Sequence, residues 1–170
     1  MSLVEEIIAA NAEFAEAFDA ANIPIPPRRK LAILTCMDAR IYPNKIFGLH
    51  EGDAHIIRNA GGRAADALRS LAISQELMGT REIVVLHHND CGLLGRSNAE
   101  IRSRLVSSLG QVAMQPAANL DFLPWPDVEQ ALRNEMYDIQ TSPLIRPGTP
   151  VTGFIYDEET GLIRQVDALA

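Results

Sequence analysis

Short apolar runs that alternate with helical patterns constrain this chain more than any other feature. Lys30-Leu31-Ala32-Ile33-Leu34-Thr35, Ala54-His55-Ile56-Ile57-Arg58 and Glu82-Ile83-Val84-Val85-Leu86-His87 read as strands, the first and third of them as buried ones. Helical spacing follows over residues 64 to 78, with Gly79 as the stop, and over residues 98 to 109, with Asn98 as N-cap and Gly110 as the end. A further helix spans residues 127 to 140, with Asp127 as cap and Val128, Leu132, Met136 and Ile139 on one face. Residues 111 to 125 read as a loop. Val151-Thr152-Gly153-Phe154-Ile155-Tyr156 and Leu162-Ile163-Arg164-Gln165-Val166 form a closing hairpin around a turn ending at Gly161.

Alternation of this kind predicts a single α/β domain. Its central sheet is mostly parallel, in the order 2-1-3-4 plus an antiparallel edge strand, and helices flank it. Ahead of it, residues 3 to 21 form an amphipathic helix with Leu3, Val4, Ile7, Ile8, Phe14 and Phe18 on its apolar face, ended by Pro24, Pro26 and Pro27. That helix either packs on a second subunit or covers the chain's own sheet. The expected division is an N-terminal helical arm, residues 1–27, and an α/β domain, residues 28–170.

Composition narrows the function. With 170 residues, 47% of them hydrophobic, the chain can bury a real core. A net charge of −7 argues against a nucleic-acid partner, which needs a basic face. No run of about 18 apolar residues suggests a membrane span. The acidic start Met1-Ser2-Leu3-Val4-Glu5-Glu6 lacks a signal-peptide pattern, so the expected compartment is the cytoplasm, where cysteines bind metal or react more often than they pair.

The chain has two cysteines, and each follows a strand. Cys36 sits in Thr35-Cys36-Met37-Asp38-Ala39-Arg40, and Cys91 in His87-His88-Asn89-Asp90-Cys91-Gly92. In open α/β sheets, ligands bind beyond the carboxyl ends of the strands where the order reverses. If strands one and three are neighbours, Cys36, His88 and Cys91 face one crevice. Two thiolates and an imidazole suit Zn²⁺ and leave a fourth position open for water. Two buried thiols or a disulfide would be the alternative; His88, the strand-end placement and the charged neighbours Asp38 and Arg40 favour the metal. Read as an extended segment, Asp38 and Arg40 point to the same side. Asp38 can accept a hydrogen bond from metal-bound water or swing onto the metal, and Arg40 decides by holding the carboxylate away. Activity is expected to rise with pH.

Cys36-x-Asp38-x-Arg40 with His88-x-x-Cys91-Gly92 resembles the signature of the β-class carbonic anhydrases. Arg58-Asn59-Ala60-Gly61-Gly62, Ser142-Pro143-Leu144-Ile145 and Val151-Thr152-Gly153-Phe154-Ile155-Tyr156 extend the resemblance over nearly the whole chain from about residue 28. It is nearest a short bacterial and archaeal branch that also includes carbonyl sulfide hydrolases. The resemblance implies that Cys36, His88 and Cys91 bind one zinc and that Asp38 and Arg40 form a catalytic dyad. It implies reversible hydration of CO₂ to bicarbonate through zinc-bound hydroxide, in a homodimer or higher homo-oligomer whose N-terminal helix reaches across. Hydrolysis of carbonyl sulfide or carbon disulfide at the same zinc is the alternative activity. A non-catalytic zinc or bicarbonate-binding module is the alternative of another class. A thiol redox protein is disfavoured because the cysteines form no CxxC pair.

Gly92 is expected to let the backbone approach the metal pocket, its amide contacting a bound anion. Asn59 and Gly61 are the other expected substrate contacts, in a glycine turn beneath the crevice. That turn lacks the lysine of a phosphate loop. His87 should point to the opposite face from His88 and be structural. His50 and His55 read as hydrogen-bonded or surface histidines rather than proton relays, Asp90 as a turn residue bonded to backbone, and Trp125 as packing or interface.

Overall fold

The computed structural model describes residues 2–19 and 23–168. Five strands form one sheet: β1 (Leu31–Cys36), β2 (Ala54–Asn59), β3 (Glu82–His88), β4 (Val151–Tyr156) and β5 (Ile163–Val166). Their order is β2-β1-β3-β4-β5; the first four are parallel and β5 is antiparallel to β4. The expected topology is therefore the observed one, and its reversal point lies between β1 and β3.

The helices are α1 (Leu3–Ala17), α2 (Pro43–Ile46), α3 (Ala64–Glu76), α4 (Asn98–Leu109), α5 (Met114–Ala118) and α6 (Val128–Thr141). On one face of the sheet, Ala32 and Leu34 of β1 and Ile83 and Val85 of β3 pack with Leu71 of α3 and with Leu132, Met136 and Ile139 of α6. Ile33 and Val84 point the other way, onto Leu49, Phe47 and Phe154. Both central strands are thus covered on both faces, which is why they read as continuous apolar runs. Gly153 lets α6 come close to β4: a Cβ there would lie 2.6 Å from Met136 Sδ and 3.1 Å from Leu132 Cγ.

Several boundaries differ from the sequence expectation. The segment 111–125 is not all loop, since a 3₁₀ turn (Gln111–Ala113) and α5 lie in it. Helix α4 begins at the predicted residue, but its N-cap is Ser97, whose hydroxyl accepts from the Glu100 amide, rather than Asn98. Helix α1 stops at Ala17, capped at its start by a reciprocal Ser2–Glu5 pair, and positions 20 and 21 of the predicted span lie outside the described residues. No residue of α1 is buried; Leu3, Ile7, Ile8 and Phe14 are all more than half exposed. It does not cover the chain's own sheet.

Candidate metal centre

Cys36 is the last residue of β1 and His88 the last of β3, so the sheet order alone sets them side by side. The Thr35 hydroxyl donates to the Leu86 carbonyl at 2.8 Å and ties the two strand ends together. After His88 the chain turns through Asn89 and Asp90, which returns Cys91 to the same point. Cys36, His88 and Cys91 are all buried, and their ligand atoms lie within 4.8 Å of one another. Neither cysteine is in a disulfide. His88 Nε2 is buried and has no hydrogen-bond partner among the described residues, while Nδ1 is engaged by Glu158. Two soft sulfurs and an imidazole nitrogen are the donors that a tetrahedral zinc site uses.

The sulfurs share their protons unequally. A hydrogen bond from Cys91, aided by neighbouring His88, pulls the Cys36 thiol well below its usual range, and Cys91 is pushed up by Cys36 and by burial. Burial works against charge on His88, but Cys36 and Glu158 outweigh it and raise its pKa.

Asp38 and Arg40 lie together, though not in the extended segment expected. The chain turns at Ala39-Arg40, and Asp38 Oδ1 accepts the Arg40 backbone N–H at 2.9 Å. That turn wraps the guanidinium around the carboxylate: Nε donates to Oδ1 at 2.9 Å and Nη2 to Oδ2 at 2.7 Å. The bidentate grip holds the Asp38 carboxyl far below the usual carboxylate range. Arg40 is itself fixed from the His88–Cys91 turn, by Asp90 Oδ2 at 2.7 Å and the Asp90 carbonyl at 2.8 Å. Asp90 is thus an Arg40 partner; its carboxylate does not bond the turn backbone as the sequence suggested. Arg58 braces the other side, donating to the Cys36 carbonyl at 3.0 Å and the Asp38 carbonyl at 2.6 Å.

A cavity of about 240 Å³ opens beside the sulfurs, lined by Cys36, Met37, Asp38, Gly61, Gly92 and Leu93 among others. Gly61 has φ +81°, and a Cβ would lie 2.5 Å from the Trp125 ring, so only glycine fits. Gly92 lines the same cavity, but a Cβ there would meet nothing within 4 Å; close backbone approach is not what glycine serves at this position. Both polar ends of the Asn59 side chain are taken by the Arg63 backbone, at 2.8 and 2.6 Å, which closes the turn under the crevice.

His87 points away from the centre, as strand alternation predicts. Burial lowers its pKa to about 4, and it stacks on Trp125, with ring centroids 5.1 Å apart. Trp125 is packing, 3% exposed, with Arg63 over its ring at 5.0 Å. His55 Nδ1 lies 2.8 Å from the Ser74 hydroxyl, in a buried polar group remote from the sulfurs.

Glu158 is the site residue the sequence did not reveal. In Asp157-Glu158-Glu159-Thr160 it reads as one acid of a solvated hairpin turn. Only the register of β4 on β3, which pairs His88 with Tyr156, carries the hairpin to the His88 end of the sheet.

Comparison with known proteins agrees with this geometry. The carbonic anhydrase family model matches residues 31–163. The β-carbonic anhydrase 1 of Mycobacterium tuberculosis is 36% identical over 98% of this chain and 99% of its own. A carbon disulfide hydrolase of Acidianus is 34% identical over 83% of this chain and 79% of its own. The solved carbonic anhydrase of Glaciozyma antarctica superposes with a TM-score of 0.91 at 41% identity, covering 98% of this chain and all of that one. Strand order, the converging cysteines and histidine, and whole-length similarity agree: this chain belongs to the β-class carbonic anhydrase family.

Proposed function

We propose that this protein catalyses the reversible hydration of CO₂ to bicarbonate, with one Zn²⁺ held by Cys36, His88 and Cys91. The observation that carries the reading is the convergence of these three donors beside a carboxylate that Arg40 grips through three hydrogen bonds. When bound, the zinc supplies the Lewis acidity that makes water a nucleophile near neutral pH. The chain's own residues do the rest. Asp38, kept ionised by Arg40, accepts a hydrogen bond from the attacking water and orients its lone pair toward the substrate. With both its oxygens engaged by Arg40, the carboxylate acts beside the metal rather than on it. The cavity admits only a small molecule, and Met37, Ala60 and Leu93 give it apolar walls suited to an uncharged linear substrate. Gly92 leaves backbone exposed along that wall for the product anion, and Gly61 lines the cavity from a buried position.

The arm is read as residues 1–27 reaching across a partner subunit of a homodimer. The bare apolar face of α1 supports this, because a monomer gains nothing by exposing it. No helix among the described residues is long and apolar enough to cross a membrane.

A second reading is hydrolysis of carbonyl sulfide or carbon disulfide. It is favoured by the relatives named as carbon disulfide hydrolases, and the same apolar cavity would take these linear electrophiles. Purified protein should hold about one zinc per chain. Stopped-flow CO₂ hydration run beside sulfide release from carbonyl sulfide separates the readings. Zinc-loaded protein no faster than buffer on CO₂ at alkaline pH refutes the first, and absence of both activities leaves a zinc-binding module.

A further inference from the structure

Glu158 is an acidic residue of a hairpin turn, yet its side chain is only 8% exposed. The turn is held rigidly. Asp157 Oδ1 accepts the amides of Glu159 and Thr160 at 2.9 and 3.0 Å, and the Asp157 carbonyl accepts Gly161 N–H at 2.8 Å. The Asn89 amide donates to the Tyr156 carbonyl at 3.2 Å, which fastens the hairpin to the turn after His88. Glu158 is thereby aimed inward, and its Oε1 meets His88 Nδ1. The same oxygen lies 3.4 Å from Arg40 Nη2. Burying a carboxylate costs several kcal/mol unless it is paired, so the location calls for a reason.

We propose that Glu158 is a positioning residue for the metal centre: by accepting the Nδ1 proton of His88 it fixes the ring with Nε2 facing the two sulfurs, and it joins that ring to the Arg40–Asp38 pair. This rests on the reading of Cys36, His88 and Cys91 as the zinc ligands. A ligating imidazole must present a bare nitrogen to the metal, and a proton held on Nδ1 guarantees that Nε2 is that nitrogen. Nε2 is buried and has no hydrogen-bond partner among the described residues, and a His88 ring nitrogen lies within 4.8 Å of both sulfurs. Because Arg40 touches Glu158, Asp38 and Asp90, one guanidinium registers the ligand histidine against the carboxylate beside the cavity.

The test compares Glu158→Ala, Glu158→Gln and the exposed neighbour Glu159→Ala. Zinc affinity is read by competition with a chromophoric chelator, and folding is checked by far-ultraviolet circular dichroism. Glu158→Ala should weaken zinc binding by about 10–100-fold. Glu158→Gln, whose amide oxygen can still accept the proton, should recover most of that loss, and Glu159→Ala should match the parent. In the metal-free protein, a hydrogen-bonded Nδ1–H proton resonance, assigned by its absence in His88→Gln, should be present in the parent and lost in Glu158→Ala. That proton exists in both the neutral Nδ1–H tautomer and the imidazolium, so the readout is independent of ring charge and of zinc. Zinc affinity of Glu158→Ala within twofold of the parent, or an unchanged Nδ1–H resonance, overturns the proposal. If the parent binds no zinc, the ligand reading fails, and the proton resonance alone decides whether Glu158 holds the ring.

Discussion

Glu135 joins two helices beneath the site, and removing it should be costly in a way the structure specifies. It lies on α6 and is 1% exposed. Its Oε2 accepts the Ala64 N–H at 2.5 Å, at the start of α3, where the N-cap residue Arg63 provides no side-chain cap. Its Oε1 sits 2.6 Å from Arg63 Nη1, a close charge contact in which neither atom makes an aligned hydrogen bond. Glu135→Ala removes the cap and leaves Arg63, whose side chain is 16% exposed, without its counter-charge. Breaking such a buried pair costs about 3–5 kcal/mol. In a chain of this length each kcal/mol shifts Tm by roughly 2–4 °C, so a fall of about 10 °C is expected. Glu135→Gln keeps an acceptor for Ala64 and should cost about half as much. Burial raises the Glu135 pKa, so the native state holds this proton more tightly than the unfolded chain. The stability from that proton is complete below the ordinary value of 4.5 and declines as pH rises through the raised one, so the deficit of Glu135→Gln should narrow with rising pH. Urea denaturation of the variants from pH 4 to 8 measures all of this. Glu135→Ala within about 1 kcal/mol of the parent would show that the pair and the cap contribute little, and the reasoning fails.

Asp38→Asn should lower CO₂ hydration by about 10²–10⁴-fold while zinc content stays at that of the parent; equal turnover excludes the acceptor role. Gly61→Ala drives a Cβ into Trp125 and forces a left-handed backbone on alanine, so it should cost about 1–3 kcal/mol in thermal stability and distort the cavity. Gly153→Ala should push α6 off β4 and destabilise by about 1–3 kcal/mol without altering zinc affinity. A tighter-folding alanine variant at either glycine would contradict the packing described.

The fold was legible because its signals are local and redundant. β1 and β3 announce themselves as unbroken apolar runs, α6 shows Leu132, Met136 and Ile139 at helical spacing, and Cys36 and His88 sit at strand ends, with Cys91 in the turn that follows, where such sheets gather their chemistry. What stayed hidden depends on tertiary placement. Arg40 and Asp90 are 50 residues apart, and nothing in either turn shows that they meet. Glu158 carries the composition of an exposed turn, and only the register of β4 on β3 buries it. Helix α5 was masked by Pro116, which reads as a breaker; it occupies the first helical turn, where a missing N–H breaks no intrahelical bond.

Helix α1 has 15 residues and no buried position, so its order rests on the Ser2–Glu5 box and local pairs such as Phe14–Phe18. Lone helices of about 12–15 residues are near their melting point in water even with good sequences. In a solitary chain this segment should therefore coil and recoil continually. A surface that covers it would draw it into the helical form, tying assembly to a coil-to-helix transition. Ellipticity at the helical band would then climb as the protein is concentrated, and the midpoint of that climb would report the strength of self-association.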